Sequence, residues 1–452
     1  MQDTKTGETV NFHQSFFQGL SSSGPMLNIF GLFPVIVTMT MGYSFAVVAI
    51  SIFLGFLSVY TGYTFSKFMR TNGGYYSYVG KFMGKGLGIF TAFIYFFYSI
   101  LALPSVILFL VYFSGYVFPG GLPGGIYGEI ILSLLFAMAI MAVFKSGFRQ
   151  TMRFIMILSA MEIAVVLIFT LYVAIFFSTS SVAYTPPSQI LGALPFGILA
   201  FAGIGSSIFL SEDSVKWKKT VNRSILYSFL ALALLMALPA AAISYRMETA
   251  AELAYAADPL SLFVQSGTFG RILGMLMMII AMTSAFNLSL GYLNAFRHAV
   301  LKMVSDHIIS ERYSLFSSNL WITVLAIAMP VVIILEAAAG SYNGFVIITG
   351  AVGLAFLLVH SVANSALIRF FTGRHAYLRA AIPVFSTITF IFIILQETMM
   401  GGIVKYSAYA VICMVIISAA AVAMKKYVWA SSYSKTGFSE ASAEFIDRSS
   451  EY

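Results

Sequence analysis

A lone carboxylate is the first residue in this sequence with chemistry to explain. Glu162 stands in RFIMILSAMEIAVVLIF, well away from the basic end of that apolar run at Arg153. A charged side chain at the centre of a membrane helix costs at least ~2.5–3.5 kcal/mol on insertion scales, so such a residue has a function or a partner. Two roles fit: a carrier that takes up and releases a proton, or a protonated structural group bonded to a neighbouring helix. His360, in LLVHSVANSAL, suits either proton coupling or a helix-to-helix hydrogen bond. Thr283 and Ser284, in MTSAFNLSL, could give hydroxyl oxygens to a sodium ion, although paired hydroxyls in a helix more often bond the preceding turn.

Two backbone defects accompany these side chains. In Leu191 to Ser214, LGALPFGILAFAGIGSSIFLSEDS, Gly203 and Gly205 flank Ile204, and Ser206 and Ser207 follow. Between Phe16 and Val37 lies Ser21-Ser22-Ser23-Gly24-Pro25. Glycine weakens a helix, and proline removes a donor and clashes with the preceding turn. Inside a bilayer a broken helix is tolerated only where the freed peptide groups face protein, water or a ligand.

The elements that must position these residues are membrane spans. The chain is 60% hydrophobic and 9% charged, with mean hydropathy +0.91, whereas soluble domains carry about 25% charged residues. Runs of about 20 apolar residues give twelve spans: 14–38, 44–66, 87–117, 127–145, 154–178, 191–211, 223–244, 270–301, 318–337, 342–370, 379–398 and 402–424. Pro104 marks a kink in the third. The polar start, with Asp3, Lys5 and Glu8, does not resemble a cleavable signal. With the N-terminus placed inside, only Arg246, Arg271 and Lys405 of the 25 basic residues fall outside. One missed span would scramble that asymmetry, so it supports both termini on the cytoplasmic side. The net charge of +8 is thus an insertion signal, helped by anionic lipid, and not a nucleic-acid patch. Met247 to Pro259 reads as a short surface helix, and the Ser-rich, charged stretch 431–452 as a disordered cytoplasmic tail.

Broken spans at positions one and six imply two five-span halves, 14–178 and 191–370, with 379–424 appended and a permease domain over 1–430. Five is odd, so tandem copies insert in opposite senses, as an inverted repeat. The fold class expected is an all-α integral membrane protein with twelve helices. At a broken helix the positive dipole end attracts a carboxylate, and free carbonyls accept from an ammonium. A zwitterionic amino acid matches that pair. The carboxylate is assigned to amides at Ser22, Ser23 and Gly24, beside Ser21. The ammonium is assigned to carbonyls at Phe201, Ala202 and Gly203, beside Ile204 and Gly205. The plainer alternative is that these small residues only let helices approach. Phe201 is a candidate gate over the ligand, and Tyr95 or Tyr98 a candidate cavity wall; packing is the alternative for all three.

At this point a family resemblance is carried by named residues. GIGSSIFLSEDSVKWKKTVNRSI (203–225) aligns without a gap with the sixth-span signature of the amino acid–polyamine–organocation permeases, roughly GFESVVTLAEEVKNPKRTIPRAI. Gly203, Ser206, Leu210, Glu212, Lys218, Thr220, Arg223 and Ile225 match. Gly73 to Tyr78 is similar to that family's GGxYxY, and Arg297 to Asp306 resembles its basic stretch after span eight. The resemblance implies the LeuT-like five-plus-five fold, alternating access, and uptake or exchange of amino acids. It also places Glu162 near a fifth-span position where some proton-coupled members carry a lysine that substitutes for sodium (MEIAVVLIF against IKVAVVLIF). The sequence departs from the family where the first-span signature GxxIGxGIF is reduced to SSSGP. Gly205 takes the place of a glutamate, and Trp217 and Asn222 replace prolines. Loss of that glutamate disfavours a polyamine or strongly cationic cargo.

The expected function is secondary active transport of a small, neutral amino acid across the cytoplasmic membrane, driven by protons rather than sodium. The alternatives are an uncoupled exchanger, a polyamine or cationic amino acid permease, and an amino-acid-binding membrane receptor. One cysteine, Cys413, and five histidines (13, 298, 307, 360 and 375) offer no metal-ligand spacing. No HExxH, paired aspartates or Cys–His proximity suggests an enzyme. No catalytic residue, metal or cofactor is therefore expected. The expected partners are an amino acid and membrane lipid, not nucleic acid; the oligomeric state is left open.

Overall fold

The computed structural model describes residues 10–40, 42–116, 118, 122–179, 187–214, 216–264, 267–309, 320–399, 401, 402 and 404–438. Among these, regular structure is helical throughout, apart from one isolated bridge between Val10 and Ser214. Twelve segments are long and apolar enough to cross a membrane, as many as the hydropathy pattern predicts. The chain is a multi-pass membrane protein. Lys5, Arg312 and Arg448 lie outside the described residues.

The first span, Phe12–Thr40, comprises α1 (Phe12–Ser21), α2 (Pro25–Leu27), a π-helical stretch (Asn28–Leu32) and α3 (Phe33–Thr40). The second is α4 (Ser44–Phe65). A short helix α5 (Tyr75–Met83) precedes α6 (Lys85–Ser114), which runs through Pro104; α7 (Ile126–Lys145) and α8 (Phe148–Phe176) follow. The sixth span joins α9 (Pro187–Leu199) to a 3-10 helix (Ile204–Leu210). Next come α10 (Trp217–Arg246), α11 (Thr249–Ala257), α12 (Ser261–Val264) and α13 (Gly267–Ser305). The last spans are α14 (Leu320–Ala339), α15 (Ser341–Thr372), α16 (Tyr377–Met399) and α17 (Val404–Tyr427), followed by α18 (Ala430–Lys435).

Burial sorts the spans into layers. The most apolar windows of the first and sixth spans are 100% and 94% buried, against 22% for the fourth and 28% for the eleventh and twelfth. Leucines and isoleucines such as Leu135, Ile157, Ile388 and Ile416 project from the outer spans, as hydrocarbon contact requires.

One expectation is borne out and refined, and another needs correction. The short helix expected within 247–259 forms as α11 with Leu253 exposed on its outer face, and its other face is docked into the bundle. Tyr255 of α11 is buried and its hydroxyl donates to the Ile29 carbonyl, a peptide group within the π-helical stretch. The tail does not lose order at Ser431. Helix α18 forms, Lys425 donates to the carbonyls of His307 and Ile308, and the Phe438 ring fills a slot where a Cβ at Gly80 or Gly88 would lie 2.4 or 2.7 Å from it. Residues 439–452 are outside the described set.

One end of the bundle is tied by a polar network. Arg70 donates to the carbonyls of Glu212 (2.7 Å) and Ser211 (3.3 Å). Asn72 exchanges hydrogen bonds with Glu212 and donates to Asp213 (2.9 Å). Lys302 pairs with Asp306 at 2.9 Å and Glu212 at 3.7 Å, and Tyr76 donates to Asp306. Burial lifts the Glu212 and Asp306 carboxyls above their ordinary range, while Lys302 opposes that rise. This network fastens the loop after α4 to the ends of the sixth and eighth spans.

Candidate functional site

The α-helical run of the first span ends at Ser21. Gly24 then takes a left-handed conformation (φ 57°), and Pro25, lacking a donor, opens the next helical segment. In the sixth span, turns at 200–203 separate α9 from the 3-10 helix. The two interruptions touch. A Cβ on Gly203 would sit 1.9 Å from the Ser22 carbonyl oxygen and 2.6 Å from the Ser23 nitrogen, so backbone lies on backbone there. The Asn28 amide spans both, donating to the Ser23 carbonyl at 2.9 Å and the Ala200 carbonyl at 3.3 Å.

Beside this junction is a cavity of about 50 Å³. Ser22, Ser23, Leu27 and Asn28 form one wall; α6, α13 and α15 supply Ser105, Tyr292 and Thr349 among apolar neighbours. Ser105 and Thr349 share a hydrogen bond of 2.7 Å across it. Among the described residues no charged side chain lines it. The residues singled out in the sixth span are not on its wall. Phe201 is turned toward Gly55 and Phe229, Gly205 abuts the Tyr75 hydroxyl, and Ile204 is buried. The Phe201 and Gly203 carbonyls already accept from the Ile204 and Ser206 amides. Ser21 donates to the Gln18 carbonyl and is not on the wall.

The amides assigned to a ligand carboxylate are engaged within the chain. Ser22, Ser23 and Gly24 donate to the carbonyls of Gln18, Leu20 and Ser21. The donors that open from this break are one turn later, and the protein's own carboxylate occupies them. The Met26 amide faces Glu162. The Leu27 amide donates to Ser284 Oγ at 3.1 Å, and that hydroxyl donates onward to Glu162 Oε2 at 2.6 Å. Asn287 Nδ2 donates to Glu162 Oε1 at 2.7 Å and to Ser159 at 2.9 Å. Glu162 is fully buried, and no cation pairs with it among the described residues. Neutral donors and the positive end of a helical segment therefore hold it.

The other sequence candidates separate. Thr283 donates to its own turn at Ile280, so of the two hydroxyls only Ser284 reaches the carboxylate. His360 bonds the Phe356 carbonyl and packs on Tyr75 and Phe356, apart from Glu162. Tyr95 stacks on Phe209 and meets Tyr98 edge-on, and neither lines the cavity. Among the described residues no cluster of three metal-ligating side chains forms.

Sequence reasoning missed Asn28, Ser105, Tyr292, Thr349 and Asn287. A signal existed for the last. Ser284, Asn287, Gly291, Asn294 and His298 recur at three and four residues, which puts a polar stripe on one face of an otherwise apolar α13. No protein-family model matches the chain, and no curated protein matches it.

Proposed function

We propose that the chain is a secondary active transporter that moves a small neutral amino acid by alternating access, with protons carried by Glu162. One observation carries this reading: the cavity wall and the buried carboxylate share a peptide. Leu27 lines the cavity, and its amide runs through Ser284 to Glu162. A change of charge at Glu162 thus acts directly on the segment that faces the ligand.

The donor set suggests how the change occurs. Three donors aimed at Glu162 suit its ionised form. Asn287 Oδ1 has no hydrogen-bond partner among the described residues. Turning that amide over would let it accept from a protonated Glu162 and from Ser159. Ser284 would keep the Leu27 amide throughout. The two forms of the site differ by one proton and one amide rotation, with no cation left stranded.

The cavity suits a small, uncharged side chain. The Tyr292 hydroxyl makes no hydrogen bond among the described residues, and Asn28 commits its Nδ2 but leaves Oδ1 to accept from an ammonium. We read the two interrupted spans as the first helices of two inverted five-span halves, a LeuT-like arrangement of the permease kind, with the last two spans appended. In support, those two spans are the most enclosed and meet at Gly203. The basic end would be cytoplasmic, with both termini there, and the Arg70–Glu212 network would hold that side closed.

Purified protein in proteoliposomes with an imposed pH gradient tests the proposal. Accumulation of a small neutral amino acid that collapses with a protonophore is the expected result. Absence of both uptake and ligand-induced thermal stabilisation across such amino acids would overturn it. Counterflow that ignores the gradient would replace coupling with exchange. A second reading has its own support. Because Glu162 already fills the helix-start amides, a small amine without a carboxylate also fits, and adding small amines to the same screen distinguishes it.

A further inference from the structure

A second cavity lies far from Glu162, where α15 turns into α16. It encloses about 420 Å³ and is lined by Phe68, Phe370, Arg374, His375, Tyr377 and Arg379 among others. Among the described residues no carboxylate lines it, whereas two guanidinium groups and an imidazole do. The Arg374 guanidinium rests on the Phe370 ring, 4.2 Å from its centroid, and stands 6.0 Å from Phe68. Stacking fixes the plane of the group and leaves its edge to present N–H donors, of which a guanidinium carries five. The link 373–376 is held in shape by His375, whose backbone is left-handed (φ 58°) and whose ring bonds the Tyr377 hydroxyl at 3.1 Å.

Position decides what such a site would hold. The tenth span ends at Thr372 and the eleventh starts at Tyr377, so the cavity sits where the bilayer's phosphate layer begins. Leu378, 92% exposed, and Tyr377, 62% exposed, flank it with the apolar and amphipathic surface of an interfacial anchor. The geometry points to a binding site for the headgroup of an anionic phospholipid, its phosphate held by Arg374 and Arg379 and its glycerol end against Tyr377 and Leu378. Charge and depth together favour a lipid over a soluble anion, because a free phosphate has no use for the exposed Leu378.

Native mass spectrometry of the full chain, released from detergent with added phosphatidylglycerol or phosphatidylcholine, reads this out. Phosphatidylglycerol should be retained in preference. Arg374→Ala and Arg379→Ala should each reduce that retention by about fivefold, the effect of one basic residue at a membrane surface. Leu378→Glu changes an exposed side chain, spares the fold and sets a carboxylate at the mouth; it should reduce retention as well. Equal retention of the two lipids, or retention unchanged in all three variants, would overturn the site. Displacement of phosphatidylglycerol by millimolar inorganic phosphate would overturn the lipid assignment and leave a soluble-anion site.

Discussion

Glu162, midway along α8, and Glu212, just past the sixth span, are both carboxylates gripped by α13, yet their partners differ in kind. Ser284, Asn287 and a backbone amide hold Glu162, all of them neutral. Lys302 stands by Glu212 and Asp306, with Arg70 on the carbonyls alongside. The difference concerns what happens when charge is lost. A carboxylate held only by dipoles can be neutralised by a proton, and the amide and hydroxyl around it can turn to suit. A carboxylate facing a largely buried lysine cannot be neutralised without stranding the cation, which is strongly unfavourable. On the proposed reading the first arrangement serves as a switch, whereas the second is a fastening.

The sharpest break in this comparison is functional. Glu162→Gln keeps the volume and an acceptor but cannot change charge, so gradient-driven accumulation should be abolished while ligand binding, read by thermal shift, survives. Its cost in stability should be no more than about 1 kcal/mol, since only one donor loses its match. Full accumulation by that variant at every pH would remove Glu162 from the coupling. The corresponding change at the fastening should act the other way. Lys302→Met leaves Asp306, 6% exposed, and Glu212 facing each other, and should cost about 3 kcal/mol, the scale for stranding a buried charge. Melting curves in detergent check it, and adding Asp306→Asn should restore part of the loss. Equal destabilisation by Glu162→Gln and Lys302→Met would erase the distinction.

Much of the scaffold was readable from residue order. Twelve runs long enough to span announce themselves by length alone, and the positions of the two interruptions follow from Gly24-Pro25 and Gly203. Glu162 and Ser284 also stood out, because a membrane interior makes ionisable and paired polar groups conspicuous. The occupant of the helix-start donors was not readable. That depends on which face of α8 meets α2, and Met26 and Leu27 are ordinary apolar residues whose amides carry the contact. The cavity was equally hidden, since Asn28, Ser105, Tyr292 and Thr349 come from four spans and share no local pattern. Phe201 illustrates the same limit: an aromatic beside a break can face the ligand or a neighbouring helix, and Gly55 provides the space that turns it away.

Smaller changes refine the comparison. Ser284→Ala removes the relay between Leu27 and Glu162 while leaving both in place. It strands one buried amide and should cost about 1–2 kcal/mol in melting experiments, less than Lys302→Met. Transport should become less sensitive to pH without being lost; an unchanged pH profile would show that the Leu27 amide does not report the state of Glu162.

Glu252 of α11 supplies the control, a buried carboxylate on the opposite side of the bundle from the fastening. Burial raises it from its ordinary 4.5 to about 7. The docked helix therefore holds a proton that an undocked one would release between those values, so acid favours docking. That contribution is complete below the ordinary value and fades as pH rises through about 7. Protection of the Thr249–Ala257 amides, taken as exchange relative to the intrinsic rate at each pH, should be greater at acidic than at alkaline pH, and Glu252→Gln should flatten that difference. Proton-driven uptake should be untouched by that substitution, because among the described residues no hydrogen bond of the Glu252 side chain leads to the cavity wall. Loss of coupling in Glu252→Gln would mean that burial alone, rather than a hydrogen bond from the carboxylate to the donors of the interrupted first span, makes a carboxylate a switch in this protein.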